Sequence, residues 1–243
     1  MLTLDIFPHS QYNGIVSKQT LVKHLSLPSS QKKYISECIG TFILVFFGTG
    51  AIIFDEFSAG GVTHVGVSLV FGLTVMLVIY AVGDISGAHL NPAVSLGFFA
   101  AGKAGLKDTS FYILFQMLGA VFASLVLKIA FPGNDLLGAT MPAAGISFFS
   151  AFLLEFIMTL VLMYIILNVS TGAKEKGIIA GITVGAVIGV EALLGGPITG
   201  ASMNPARSFA PALVSGNYQA LWIYILAPIT GALAGVFVFR KGR

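Results

Sequence analysis

The chain has 243 residues, of which 56% are hydrophobic and only 9% charged, and its mean hydropathy is +0.92. Such a composition excludes an ordinary water-soluble fold and points to an integral membrane protein built as a bundle of spans. The formal charge of +3 sits mostly beside apolar stretches, which fits membrane orientation and not nucleic-acid binding, and a single Cys38 excludes an internal disulfide framework.

Residues 1–33 contain Pro8, Pro28 and four lysines but no unbroken apolar run of a secretory signal, so they read as a polar, partly disordered tail. Six stretches then approach the ~20 apolar residues needed to cross a hydrocarbon core of about 30 Å. They run from Cys38 to Phe54, Val62 to Gly83, Thr109 to Phe131, Ile146 to Leu167, Gly177 to Leu194 and Ala220 to Phe239. Two further apolar pieces, Pro92 to Ala101 and Pro205 to Val214, have ten residues each. Helices of that length are about 15 Å long and cannot span.

Eleven of the thirteen basic residues fall on one side of this arrangement, among them Lys32, Lys33, Lys103, Lys107, Lys174, Lys176, Arg240 and Lys241. The positive-inside rule makes that side, with both termini, cytoplasmic. Lys128 is left on the opposite side with Asp55, Glu56 and Asp135, and Arg207 lies within the second short piece.

The two parts of the chain repeat each other. Tyr112-Ile-Leu-Phe-Gln-Met-Leu-Gly119-Ala120 aligns with Tyr224-Ile-Leu-Ala-Pro-Ile-Thr-Gly231-Ala232, Asn91 with Asn204, and Glu37 with Glu155. Repeats of about 34–131 and 146–240 therefore each hold three spans and one short piece. An odd number of spans inserts the second half upside down, and inverted repeats of this kind place their shared site near the bilayer midplane, where broken helices meet. The fold expected is an all-α membrane protein of six transmembrane helices plus two re-entrant half-helices, an inverted repeat of two three-helix halves.

Each short piece begins Asn-Pro-Ala: Asn91, Pro92, Ala93 and Asn204, Pro205, Ala206. Asn is a favoured N-cap, Pro a favoured first helical residue and Ala the best helix former, so each motif starts a helix. Two such N-termini meeting at mid-depth present two positive dipole ends to one place and repel cations. An Asn amide caps with its oxygen and keeps an NH2 group to donate, so a passing water turns its oxygen to the pair and a proton wire is interrupted. The non-helical backbone before each motif, Gly87, Ala88, His89 and Gly200, Ala201, Ser202, survives at that depth only if its carbonyls line an aqueous path. Glu37 and Glu155, symmetric carboxylates near membrane depth, read as scaffold that accepts hydrogen bonds from these loops.

With "SGAHLNPAV" and "TGASMNPARS" on two three-span repeats, residues 34–240 resemble the aquaporin or major intrinsic protein family. The resemblance implies a passive water channel in the plasma membrane, a homotetramer with one pore per protomer, needing no cofactor. It also implies a selectivity filter of Arg207 with three positions carried over by spacing. These are Phe71, twenty residues before Asn91; Ala192, five before Pro197; and Ala201, three before Asn204. Water-selective members carry His where Ala192 stands, so passage of small neutral solutes of urea or glycerol size is an open alternative. Against a glycerol facilitator, Ser208 and Ala212 stand where that branch has an acid and a base; Tyr224 is water-like and Ile225 glycerol-like.

Other residues receive plainer readings. Glu191 either touches the outer vestibule or sits within the bundle, the latter being favoured. His89 serves through its backbone, and His64, His9 and His24 are too scattered to form a metal site. Asp84 is a solvated mouth residue. Gly119, Ala123, Gly231 and Gly235 allow close helix packing. A secondary transporter would need an acid beside the two Asn, and a non-conducting structural protein has no use for the motif pair. An enzyme would need a nucleophile, base and orienter or a metal cluster, and none stands at recognisable spacing.

Overall fold

The computed structural model of the protein describes residues 29–170 and 174–242. Among them the chain forms eight helices: α1 (Ser29–Phe57), α2 (Thr63–Ser86), α3 (Pro92–Ala100), α4 (Leu106–Ala130), α5 (Phe148–Ser170), α6 (Lys174–Thr199), α7 (Pro205–Ser215) and α8 (Leu221–Lys241). Six of these are long and apolar enough to cross a membrane. α3 and α7, with nine and eleven residues, are not.

The two halves use the same close contacts. α1 packs on α4 in the first half as α5 packs on α8 in the second, and α2 meets α6 across the halves. Gly119 of α4 lies against the Cys38 carbonyl of α1, and its repeat partner Gly231 of α8 lies against the Phe156 carbonyl of α5. In a membrane no hydrophobic effect drives one helix onto another, so small residues that let backbones approach do that work. The α2/α6 contact follows the same rule: a Cβ on Gly72 would lie 2.6 Å from the Gly185 carbonyl oxygen.

The half-helices are exchanged between the halves. α3 rests chiefly on α8 and α7 chiefly on α4. Ala93 and Val94 of α3 pack with Met163, Leu167, Ala232 and Val236 of the second half, while Ala206 and Ala210 of α7 pack with Val45, Ala120 and Ala123 of the first. Large apolar side chains such as Phe47, Leu77, Phe122, Ile129 and Leu194 cover the outside, as a lipid-facing surface requires.

Two boundaries differ from those read in the sequence. α1 starts at Ser29, so the start of the membrane unit lies within the segment read as tail; Lys32 and Lys33 extend the helix beyond the apolar run toward the interface, where charged ends are tolerated. The rest of that segment, residues 1–28, lies outside the described residues. α6 runs to Thr199 and not to Leu194, because Pro197 is accommodated inside the helix. At the other end of the bundle, Asp55 in the last turn of α1 accepts the Val62 and Thr63 N–H groups at 3.0 and 2.7 Å, ordering the start of α2.

Candidate pore and constriction

Asn91 and Asn204 begin α3 and α7 from extended backbone, with φ of −156° and −146°. Asn91 Oδ1 accepts the Ala93 N–H at 2.9 Å, and Asn204 Oδ1 accepts those of Ala206 at 3.0 Å and Arg207 at 3.4 Å. The amide nitrogens do something the sequence did not announce. Asn91 Nδ2 donates to the Met203 carbonyl at 2.7 Å and Asn204 Nδ2 to the Leu90 carbonyl at 2.9 Å. Each amide thus caps its own helix and ties down the residue preceding the other Asn. One of its two N–H bonds is committed, and the second belongs to a side chain that lines the same cavity as its twin.

The loops leading into the motifs share one unusual conformation. Gly87, Ala88 and Leu90 have φ of 86°, 47° and 55°; Gly200, Ala201 and Met203 repeat it at 84°, 42° and 53°. Left-handed backbone at a non-glycine residue costs about 1–3 kcal/mol and persists only where its surroundings over-determine it. Here two buried carboxylates do so. Glu37 accepts the N–H groups of His89 at 2.9 Å and Leu90 at 2.7 Å, together with Ser86 Oγ at 2.7 Å and Gln116 Nε2 at 2.8 Å. Glu155 accepts the N–H groups of Ser202 at 2.9 Å and Met203 at 2.8 Å, and Thr199 Oγ1 at 2.7 Å. Tyr112 and Tyr224 donate to the Ser86 and Thr199 carbonyls, both at 2.6 Å, closing the ends of α2 and α6 in the same way. With the N–H groups held outward by carboxylates, the opposite edge of each loop is left to the cavity, which Gly87, Ala88, His89, Ala201 and Ser202 line; Gly200 lines the space outside it.

That cavity is narrow, about 100 Å³, and runs past both Asn side chains. A wider vestibule of about 430 Å³ lies beyond it, flanked by Asp55, Glu56 and His64. Among the described residues, Phe71, Ala192, Ala201 and Arg207 line both spaces, and they alone do. The four positions counted from the motifs are therefore brought together at the neck between cavity and vestibule.

Arg207 is not a rim residue reaching for the interface: it is 2% exposed. Its Nη1 donates to the Gly138 carbonyl at 2.7 Å, its guanidinium carbon stands 5.2 Å from the Phe71 ring centre, and Nε and Nη2 have no protein partner. Both are buried donors of a side chain that lines the neck. The connection between α4 and α5 supplies the Gly138 carbonyl, and its Thr140 donates to Ser208 Oγ at 2.7 Å. Nothing in the sequence ties this connection to Arg207; Gly138, at φ 67°, marks a turn without naming its carbonyl as a partner.

The remaining expectations divide. His89 bonds Ser95 Oγ at 3.1 Å and stacks on Phe98 at 4.4 Å, so its ring also borders the cavity. Glu191 lies inside the bundle, outside the lining of both spaces, and neither carboxylate oxygen has a partner. Asp84 is exposed. Among the described residues no cluster of His, Cys, Asp or Glu could hold a metal ion.

Residues 24–239 match the family model described as major intrinsic protein. The chain belongs to this family. It is 44% identical over 220 residues to aquaporin NIP1-1 of Zea mays, covering 90% of this chain and 77% of that one, and 41% identical over 220 residues to nodulin-26 of Glycine max, covering 90% and 80%. In structure it is similar to the aquaglyceroporin from Plasmodium falciparum, with a TM-score of 0.79 at 27% identity over 87% of this chain and 96% of that one. Members of the major intrinsic protein family are channels, not enzymes, and the chain is an integral multi-pass membrane channel of this type.

Proposed function

We propose that this family member passes water and small uncharged solutes passively, acting in the plasma membrane as a homotetramer with both termini in the cytoplasm. The observation that carries the reading is the neck shared by cavity and vestibule, formed by Phe71, Ala192, Ala201 and Arg207. A neutral molecule at the neck meets the Arg207 donors on one side and the Phe71 ring on the other. Ala192 contributes only a methyl group where water-selective relatives carry an imidazole, so molecules broader than water are admitted. Urea-sized and glycerol-sized solutes follow from that opening, in keeping with the aquaglyceroporin likeness.

Charged species are rejected twice. Each half-helix brings roughly half a positive charge to the meeting point of its N-terminus with the other, and the Arg207 guanidinium adds a whole one nearby. Beside Asn91 and Asn204 a water can only accept the remaining amide N–H groups, which orients it and breaks the hydrogen-bonded file along which a proton would hop. Carbonyls of the two loops accept from the molecules on either side of that point.

Stopped-flow light scattering on proteoliposomes tests the reading, with sucrose, glycerol and urea gradients run in parallel. The expected result is fast shrinkage in sucrose and shrinkage followed by rapid reswelling in glycerol and urea. Shrinkage no faster than that of empty vesicles would remove the channel reading, and absence of reswelling would restrict it to water.

A further inference from the structure

Outside the loops and the motifs, one side chain makes good a defect in the backbone of a neighbouring helix. α6 remains helical through Pro197. Proline has no N–H, so the carbonyl of Leu193, four residues earlier, loses its donor within the helix. His64, in the first turn of α2, occupies that place: its Nε2 lies 2.7 Å from the Leu193 carbonyl oxygen. A carbonyl only accepts, so Nε2 carries the hydrogen. Room for the ring comes from Gly196, where a Cβ would lie 2.6 Å from His64 Cε1.

The position of this bond gives it a consequence for the neck. His64 precedes Phe71 by seven residues, about two helical turns, and so shares its face of α2. Leu193 is the neighbour of Ala192. The bond therefore joins the two helices that carry two of the four neck residues. Inward of it, α2 and α6 touch through Gly72 and Gly185 and through Gly181 against the Tyr80 ring. Those contacts, with Gly189 against the Ser68 carbonyl, fix how close the helices come along their middle, and the His64 bond joins them at the outer end. Ala192 has no side-chain torsion with which to adjust the opening, so the width there is set by where the two backbones stand.

We propose that His64 is a positioning residue: it replaces the N–H missing at residue 197, fixes the spacing of α2 and α6 at the neck, and so sets the size limit for neutral solutes. This rests on the channel reading above. A lone histidine near a channel mouth invites a search for metal or charge; its partner here is a backbone carbonyl.

The test uses full-length protein in proteoliposomes, as wild type, His64→Ala, and His64→Ala combined with Pro197→Ala. In the double variant residue 197 regains an N–H that donates to Leu193 within the helix, and His64 is no longer needed. His64→Ala is expected to raise the glycerol-to-water permeability ratio by about fivefold, the factor carried by one net hydrogen bond, and to lower the Tm in detergent. Adding Pro197→Ala is expected to return both toward wild type. A ratio in His64→Ala equal to that of wild type would overturn the proposal, as would a shift that Pro197→Ala does not reverse. If His64→Ala alone does not fold, recovery of folded protein on adding Pro197→Ala supports the clamp and failure to recover refutes it. Wild-type vesicles that do not conduct would sink the channel reading instead, and the Tm values of the same variants then judge the His64 bond by themselves.

Discussion

The two re-entrant loops of this protein are near copies in their backbone and unlike in their chemistry. Both pass through left-handed φ at corresponding residues, both hang from a buried glutamate, and both send an asparagine amide to the other's carbonyl. Yet the residue three positions after the Asn is Val94 in one and Arg207 in the other. Glu37 receives a fourth donor from Gln116, whereas the matching position in the second half is Pro228 and Glu155 makes do with three. Duplication thus accounts for the shared frame, and the side chains at the neck are where the copies diverge.

The comparison can be broken most severely at the glutamates. Glu37→Leu removes the acceptor shared by four donors and Glu155→Leu that shared by three, each buried donor left unpaired costing about 1–3 kcal/mol. Both are expected to abolish monodisperse folded protein, with Glu37→Leu the worse of the two, as size-exclusion profiles and Tm of detergent-solubilised samples would reveal. Next in size is the divergent position itself. Arg207→Val makes the second loop resemble the first, and ion flux and uptake of solutes larger than glycerol are expected to appear while water flux persists; unchanged selectivity would mean the neck lies elsewhere.

Smaller effects sharpen the picture. Ala192→His fills the neck and is expected to lower glycerol permeability by roughly tenfold or more while sparing water, since discrimination by a few atoms in a tight site is worth about 1–3 kcal/mol. Gln116→Leu removes the donor that the second loop lacks, along with its bond to Ser95, and should lower the Tm without changing solute preference, at a cost of about 1–2 kcal/mol. Glu191→Gln is expected to change neither water nor glycerol permeability, because its side chain borders neither space.

Much of this was legible in the residues. Span lengths, the two short helices and their Asn-Pro starts follow from local chemistry, whereas the four neck positions are implied only by the family resemblance, carried over by their distance from the motifs. Symmetric acids at membrane depth pointed to the loops they hold. Several of the parts that escaped have backbone carbonyls as partners: Met203 and Leu90 for the two amides, Gly138 for Arg207, Leu193 for His64. Every residue owns a carbonyl, so nothing in a sequence distinguishes the one that will be used. Pro197 is the exception in kind, since a proline within an apolar span announces that a carbonyl four residues back needs help.

The exchange of Asn91 and Asn204 across the two loops has a consequence for biosynthesis. When the ribosome has completed only the first repeat, the Leu90 carbonyl and the apolar face of α3 have no counterpart, since Asn204 and α8 do not yet exist. The first three spans can enter the bilayer on their own hydrophobicity, with Glu37 already at hand for their loop, but the Asn204 bond and the α8 packing come only when nearly the whole chain has been made. The passage, lined by residues of both halves, is therefore complete only late in synthesis.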